Sequence, residues 1–114
     1  MGIDELRCLV GKECVRLAKL GANGIAQELA SRGMQGKVQD CYECPVARGL
    51  ADTLMMSTGR LNVSKYDVQY RYGSGPKAGQ HEWLCSFKEG LAPIRYFIES
   101  FDDAMYPHLV QEDE

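Results

Sequence analysis

The chain has 114 residues, 45% of them hydrophobic, and a formal net charge of −3. That length and apolar content suit a single domain over residues 1–114 with one core, of modest stability, because so short a chain buries only about two-thirds of its unfolded surface. Thirteen basic residues are scattered with no run of Lys or Arg, which excludes a strong electrostatic preference for nucleic acid or anionic lipid.

Ile3, Leu6, Val10, Cys14, Leu17 and Leu20 recur at steps of three and four, so an amphipathic helix is expected over 3–20. Asp4 and Glu5 suit its N-terminus and Lys19 its C-terminus. Gly11 costs up to about 1 kcal/mol against Ala and allows a break in mid-helix. Asn23 is a good N-cap for a second helix over 24–32, with Gly33 just past its end. The link between the two is short and predicts an antiparallel or angled pair. Residues 33–43 read as irregular. A third helix opens at Pro45, which is pre-organised for the first helical position, and buries Val46, Ala47, Leu50, Ala51, Leu54 and Met55. Gly59 ends that segment.

The period then changes from helical to alternating. Tyr66, Val68, Tyr70 and Tyr72 alternate with Asp67, Gln69 and Arg71, the pattern of a half-buried strand, and Leu61 and Val63 predict a short strand before it. GSGPKAGQ (73–80) reads as a polar loop, and Trp83, Cys85 and Phe87 as the return strand of a hairpin over about 66–88. Pro93 opens a last helix with Ile94, Phe97, Ile98, Phe101 and Met105 on one face. Pro107 stops it, and the acidic tail 111–114 is expected to fray. The predicted fold is α+β: three N-terminal helices, a small antiparallel sheet, then a C-terminal helix.

The local motif with chemical content is Cys41-Tyr42-Glu43-Cys44-Pro45. Two thiols separated by two residues can share a metal or form a disulfide, and a helix N-terminus at Cys44 is expected to stabilise a thiolate. A zinc site needs two further ligands. His81 and Cys85 complete a Cys-x2-Cys…His-x3-Cys pattern with Cys41 and Cys44, and Cys8, Cys14 and His108 are other donors. Residues four apart on an extended strand lie roughly 13 Å apart, so His81 must fold back from the loop to join Cys85. A redox reading lacks the buried strand that precedes a thioredoxin-type motif. The bland alternative makes Cys44 part of the helix start, Cys41 a loop thiol, and Cys8, Cys14 and Cys85 small core residues. No cofactor is expected, zinc being the one candidate.

His81 and His108 read as surface histidines. No serine-nucleophile, dinucleotide or phosphate-loop motif is present, and the string Gly73-Ser74-Gly75-Pro76-Lys77 precedes a strand rather than a helix. Tyr66, Tyr70, Tyr72 and Trp83 are the candidate interaction residues. Stacked aromatics on a sheet can bind single-stranded nucleic acid, but the neighbouring Lys65, Asp67, Gln69 and Arg71 are mixed in charge, and exposed tyrosines favour a protein partner. Five cysteines, an odd number, with no basic and apolar leader point to reduced thiols and a cytoplasmic location. No apolar stretch approaches the roughly 20 residues that span a bilayer. Gly2 invites the myristoylation pattern, but Leu6 stands where Ser or Thr is wanted.

Two strings, Cys44-Pro45-Val46-Ala47 and Phe101-Asp102-Asp103-Ala104-Met105-Tyr106-Pro107-His108-Leu109-Val110, together with the early helix pair, resemble small uncharacterised proteins of actinobacteria and their phages. The resemblance implies a helix opened by a cysteine–proline step, matching Cys44, and a Phe-Asp…Tyr-Pro segment near the end of the chain. It implies no activity, and Cys41 lies outside its pattern. The reading that follows is a non-enzymatic protein-binding or regulatory module. Its alternative is a zinc or thiol-redox module centred on Cys41 and Cys44, and a weaker one is nucleic-acid binding through Tyr66, Tyr70 and Tyr72.

Overall fold

A computed structural model describes residues 2–111. It is an α+β fold of three helices and one three-stranded antiparallel sheet: α1 (Ile3–Ser31), α2 (Pro45–Thr53), β1 (Leu61–Val63), β2 (Asp67–Arg71), β3 (His81–Ser86) and α3 (Ala92–Asp102). Single 3-10 turns at Glu89–Leu91 and Pro107–Leu109 flank α3.

The two helices expected before residue 33 form one 29-residue element, broken inside at Gly21, where φ is 72° and ψ 168°. This corrects the helix count before the sheet from three to two. Only glycine takes that conformation without a Cβ penalty, so the chain bends there rather than at Gly11 or Asn23. Asn23 caps nothing. Its side-chain oxygen accepts the Tyr106 hydroxyl at 3.0 Å and ties the helix to the end of the described chain. Leu6, Val10, Cys14 and Leu17 are buried as expected, while Leu20, beside the bend, is exposed. Gly33 (φ 69°) ends α1 in a left-handed cap, with Met34 N–H donating to Leu29 O and Gly33 N–H to Ala30 O.

α2 starts as expected, with Cys44 as N-cap and Pro45 as its first residue. It stops earlier than expected. Met55 takes the left-handed position (φ 58°) while Met56 N–H reaches back to Ala51 O at 2.8 Å. Met55 therefore leaves the apolar face to which the 3.6-residue period assigns it and is 94% exposed. The same event ends α3: Ala104 has φ 61°, and Met105, expected on the buried face, is exposed.

The strands pair in the order β1-β2-β3, with Val63 opposite Val68 and Val68 opposite Cys85. Between Val68 and Gln69 the β2–β3 register shifts, so that Gln69 faces Trp83 and Leu84 is the extra residue. The bulge turns Leu84 and Cys85 both inward and Trp83 outward, which corrects the expected alternation of Trp83, Cys85 and Phe87 on one face.

The inner face of the sheet carries Leu61, Val63, Val68, Leu84 and Cys85. α1 lies against β3 and α3, and α2 against β1. The buried apolar side chains of all these elements form one cluster, with Phe97 and Phe101 of α3 stacked at its centre. Gly36 and Val110 form a parallel bridge, and Gln111 N–H donates to Gly36 O at 2.8 Å, so Gln111 is anchored rather than frayed. The rest of the expected frayed tail, 112–114, lies outside the described residues. No described helix is long and apolar enough to cross a membrane.

Candidate functional site

The Cys41–Cys44 segment is a tightly tied loop. The Asp40 carboxylate accepts the backbone N–H groups of Tyr42 and Glu43 at 2.9 and 3.1 Å, folding the chain into a turn. Val63 N–H donates to Cys41 O at 2.7 Å and fixes the loop to β1. Glu43 pairs with Lys37 and Arg48. Cys44 is buried, and its sulfur accepts the Ala47 N–H at 3.3 Å, the bond a capping residue supplies.

Cys41 and Cys44 face a hollow of about 160 Å³ shared with Gln39, Asp40, Ile98 and Asp102. Both thiols stay protonated there. Burial pushes Cys44 up to about 12, against the opposing pull of the Ala47 and Val46 N–H groups. Burial, then Asp102 and Asp40, raise Cys41. The thiolate expected at this helix start is thus not stabilised: desolvation outweighs the helix terminus.

The four zinc candidates are not brought together. Among the described residues, no group of three or more His, Cys, Asp or Glu side chains is placed to hold a metal ion. His81 is exposed at the start of β3, on the outer face opposite Arg71, with Nε2 2.8 Å from the Tyr42 hydroxyl. Cys85 is buried on the inner face, opposite Val68. Residues four apart on a regular strand share a face; the bulge at Leu84 places these two on opposite faces. Tyr42 also lies under the Arg71 guanidinium, 5.1 Å from the ring centroid, so the tyrosine between the two thiols anchors the loop to the sheet. His108 belongs to the turn after Pro107, its ring edge-on to Tyr106.

The four aromatic candidates also separate. Trp83, half-exposed on the outer face, lies beneath the Arg7 guanidinium of α1 at 5.9 Å, and Arg7 Nε donates to the Trp83 carbonyl at 2.9 Å. Tyr66 is exposed before β2, beside Lys65. Tyr70 and Tyr72 are half-buried and meet edge to face, centroids 5.0 Å apart. They form no continuous stacking platform with Trp83.

What Tyr70 and Tyr72 do line is a pocket of about 300 Å³ between the start of α1, the end of α2 and β2. Ile3 and Leu6 form one wall, Leu54, Met55 and Met56 another. The volume is at the lower end of the range for small-ligand and side-chain pockets, roughly 300–1,000 Å³. Among the described residues, no carboxylate, histidine or thiol lines it, so these residues offer shape, apolar surface and two phenol hydroxyls. Periodicity missed this site because it assigns Met55 to the core. The one available signal is the Met55-Met56 pair, two consecutive apolar residues at a helix end where only one can face inward. Among known proteins, the chain matches no family model, no curated protein and no solved structure.

Proposed function

We propose that this chain is a non-enzymatic binding module that takes an apolar side chain of a protein partner into the pocket between α1, α2 and β2. The observation that carries the reading is Met55. A long apolar side chain stands 94% exposed on a left-handed backbone position at the rim of the cavity. A non-glycine residue costs roughly 1–2 kcal/mol in that conformation, and strain of this kind is characteristic of ligand clamps. Methionine suits a rim, since its unbranched thioether repacks around differently shaped ligands. Tyr70 and Tyr72 add rigid amphipathic surface of the type enriched at protein interfaces. We place the module in the reducing cytoplasm, where its five free thiols persist.

Selection of peptides from a random library on the immobilised protein tests this. Enriched peptides should share one large apolar residue, and Met55→Lys and Tyr72→Ala should each weaken them at least tenfold. Lys12→Ala, on the far groove of α1, should leave their affinity unchanged. A library that yields no binder, or binders indifferent to both pocket variants, refutes the reading.

A further inference from the structure

Five of the arginines meet a carboxylate: Arg7, Arg16, Arg32, Arg48 and Arg95. Arg60 and Arg71 are the other two in the chain. Among the described residues neither pairs with an Asp or Glu, although both are half-buried. They also stand opposite each other. Leu61 faces Tyr70, so the next pair along the two strands is Arg60 with Arg71, and Arg71 N–H donates to Arg60 O at 2.7 Å. His81 faces Arg71 from β3. The three basic residues thus form one row across the outer face of the sheet.

Both guanidiniums turn to the same end of that row. Arg71 Nε donates to Gly59 O at 3.0 Å, and the Arg60 guanidinium lies over Gly73, where a Cβ would overlap it. Gly59 precedes Arg60 and Gly73 follows Arg71, so on antiparallel strands they mark one end. Gly73 has no left-handed backbone to demand glycine; its bare backbone makes room for the guanidinium. Arg71 also packs on Tyr42, whose hydroxyl meets His81 Nε2 at 2.8 Å. The Arg71 Nη groups and the Arg60 guanidinium nitrogens donate to no described residue.

We propose that Arg60, Arg71 and His81 form a binding site for a phosphoryl group, carried as free phosphate or as a phosphate monoester. Like charges directly opposite on a sheet are destabilising. A dianion between them turns that repulsion into attraction, and two guanidiniums match its charge where a single carboxylate would leave one uncompensated. Each guanidinium presents a planar fork that fits two phosphate oxygens. Tyr42 orients the site. Its ring holds the Arg71 guanidinium, and its hydroxyl, donating to His81 Nε2, leaves the Nδ1 proton as a further donor. His81 is exposed, so the row opens to solvent and accommodates the substituent of a monoester. A nucleic-acid backbone fits less well, because the remaining basic residues are scattered and the chain is net negative.

The test is a titration of the 15N-labelled full chain with inorganic phosphate and, separately, with O-phosphoserine, at constant ionic strength set by chloride. The Nε–Hε signals of Arg60 and Arg71 and the ring signals of His81 should move together on one saturating curve, while those of Arg16 and Arg95 stay in place. Saturation by both ligands assigns a monoester, and by phosphate alone the free ion. Arg60→Gln and Gly73→Ala should each weaken binding at least tenfold, the second by displacing the guanidinium without removing its charge. Arg95→Gln should leave binding unchanged. The amide spectrum of each sample reports whether the variant is folded. Signals that move without saturating, arginines that all respond alike, or wild-type affinity in a folded Arg60→Gln each overturn the proposal.

Discussion

Gly36→Ala is expected to be among the most damaging single-methyl additions in this protein. Gly36 sits where the chain entering from α1 crosses the loop that starts α2. A Cβ there would lie 2.5 Å from Pro45 N and 2.6 Å from the Cys44 carbonyl carbon, with the Glu43 carbonyl oxygen closer still. All three are backbone atoms and cannot rotate aside. Three backbone bonds meet at the crossing: Gly36 N–H to Leu109 O at 2.9 Å, Gln111 N–H to Gly36 O at 2.8 Å, and Lys37 N–H to Glu43 O at 2.9 Å. Overpacking costs about 1–3 kcal/mol and each weakened bond about 1 kcal/mol, so a loss of about 2–4 kcal/mol is expected. Gly11→Ala is the matched control. A Cβ there meets nothing within 4 Å in the middle of α1, and it should stabilise by about 0.5–1 kcal/mol. Urea unfolding followed by circular dichroism reads both, with equal slopes showing that only stability has moved. A Gly36→Ala midpoint within error of wild type refutes the close crossing on which the path from α1 to α2 depends.

Cys44→Ala removes the acceptor of the Ala47 N–H and should cost about 1–2 kcal/mol, whereas Cys41→Ser on the neighbouring loop should stay within about 0.5 kcal/mol; equal losses in the same unfolding assay refute the capping role. Arg16 bonds Glu28 at 2.6 Å across the Gly21 bend, and this bond holds the Glu28 carboxyl below its usual range. A depressed acid gives stability that is present above its unfolded pKa, near 4.3, and is lost as pH falls through the folded value. Acid titration of stability should therefore be shallower below about pH 4.3 in Arg16→Gln, by at most about 1 kcal/mol for so exposed a pair.

The elements legible from the sequence are those set by unbroken periodicity. The stripe Leu6, Val10, Cys14, Leu17 and the stripe Ile94, Phe97, Ile98, Phe101 are both buried, and the cysteine–proline step does open a helix. What periodicity could not give is where a helix stops. Met55 and Ala104 end helices in a conformation that glycine normally supplies, so no composition signal marks them, and the extrapolated stripes ran one residue too far at each end. Gly21 and Gly11 look equivalent along the chain. They differ in their surroundings: the Arg16 to Glu28 contact closes over Gly21, and the Tyr106 to Asn23 bond holds the segment just after it. The four candidate donors stand apart in the structure for a related reason. The spacing from His81 to Cys85 says nothing of an inserted residue between them.

That inserted residue, Leu84, accounts for more of the molecule than any motif does. With regular alternation, Trp83, Cys85 and Phe87 share one face and Leu84 points to solvent. The bulge instead leaves Val68 opposite Cys85 and Gln69 opposite Trp83. Leu84 and Cys85 then both enter the core. On the N-terminal side of the bulge the faces are exchanged. Trp83 turns out, and its carbonyl, at the unpaired edge of β3, receives Arg7. An edge strand with open carbonyls is a template for unwanted pairing, and here the guanidinium that covers the edge also packs over the indole. One extra residue thus covers the sheet edge, turns the single tryptophan outward, and seats a thiol under the helix at the base of a groove. The placement of Trp83 and Cys85 therefore follows from strand register, which is why residue spacing along the chain does not display it.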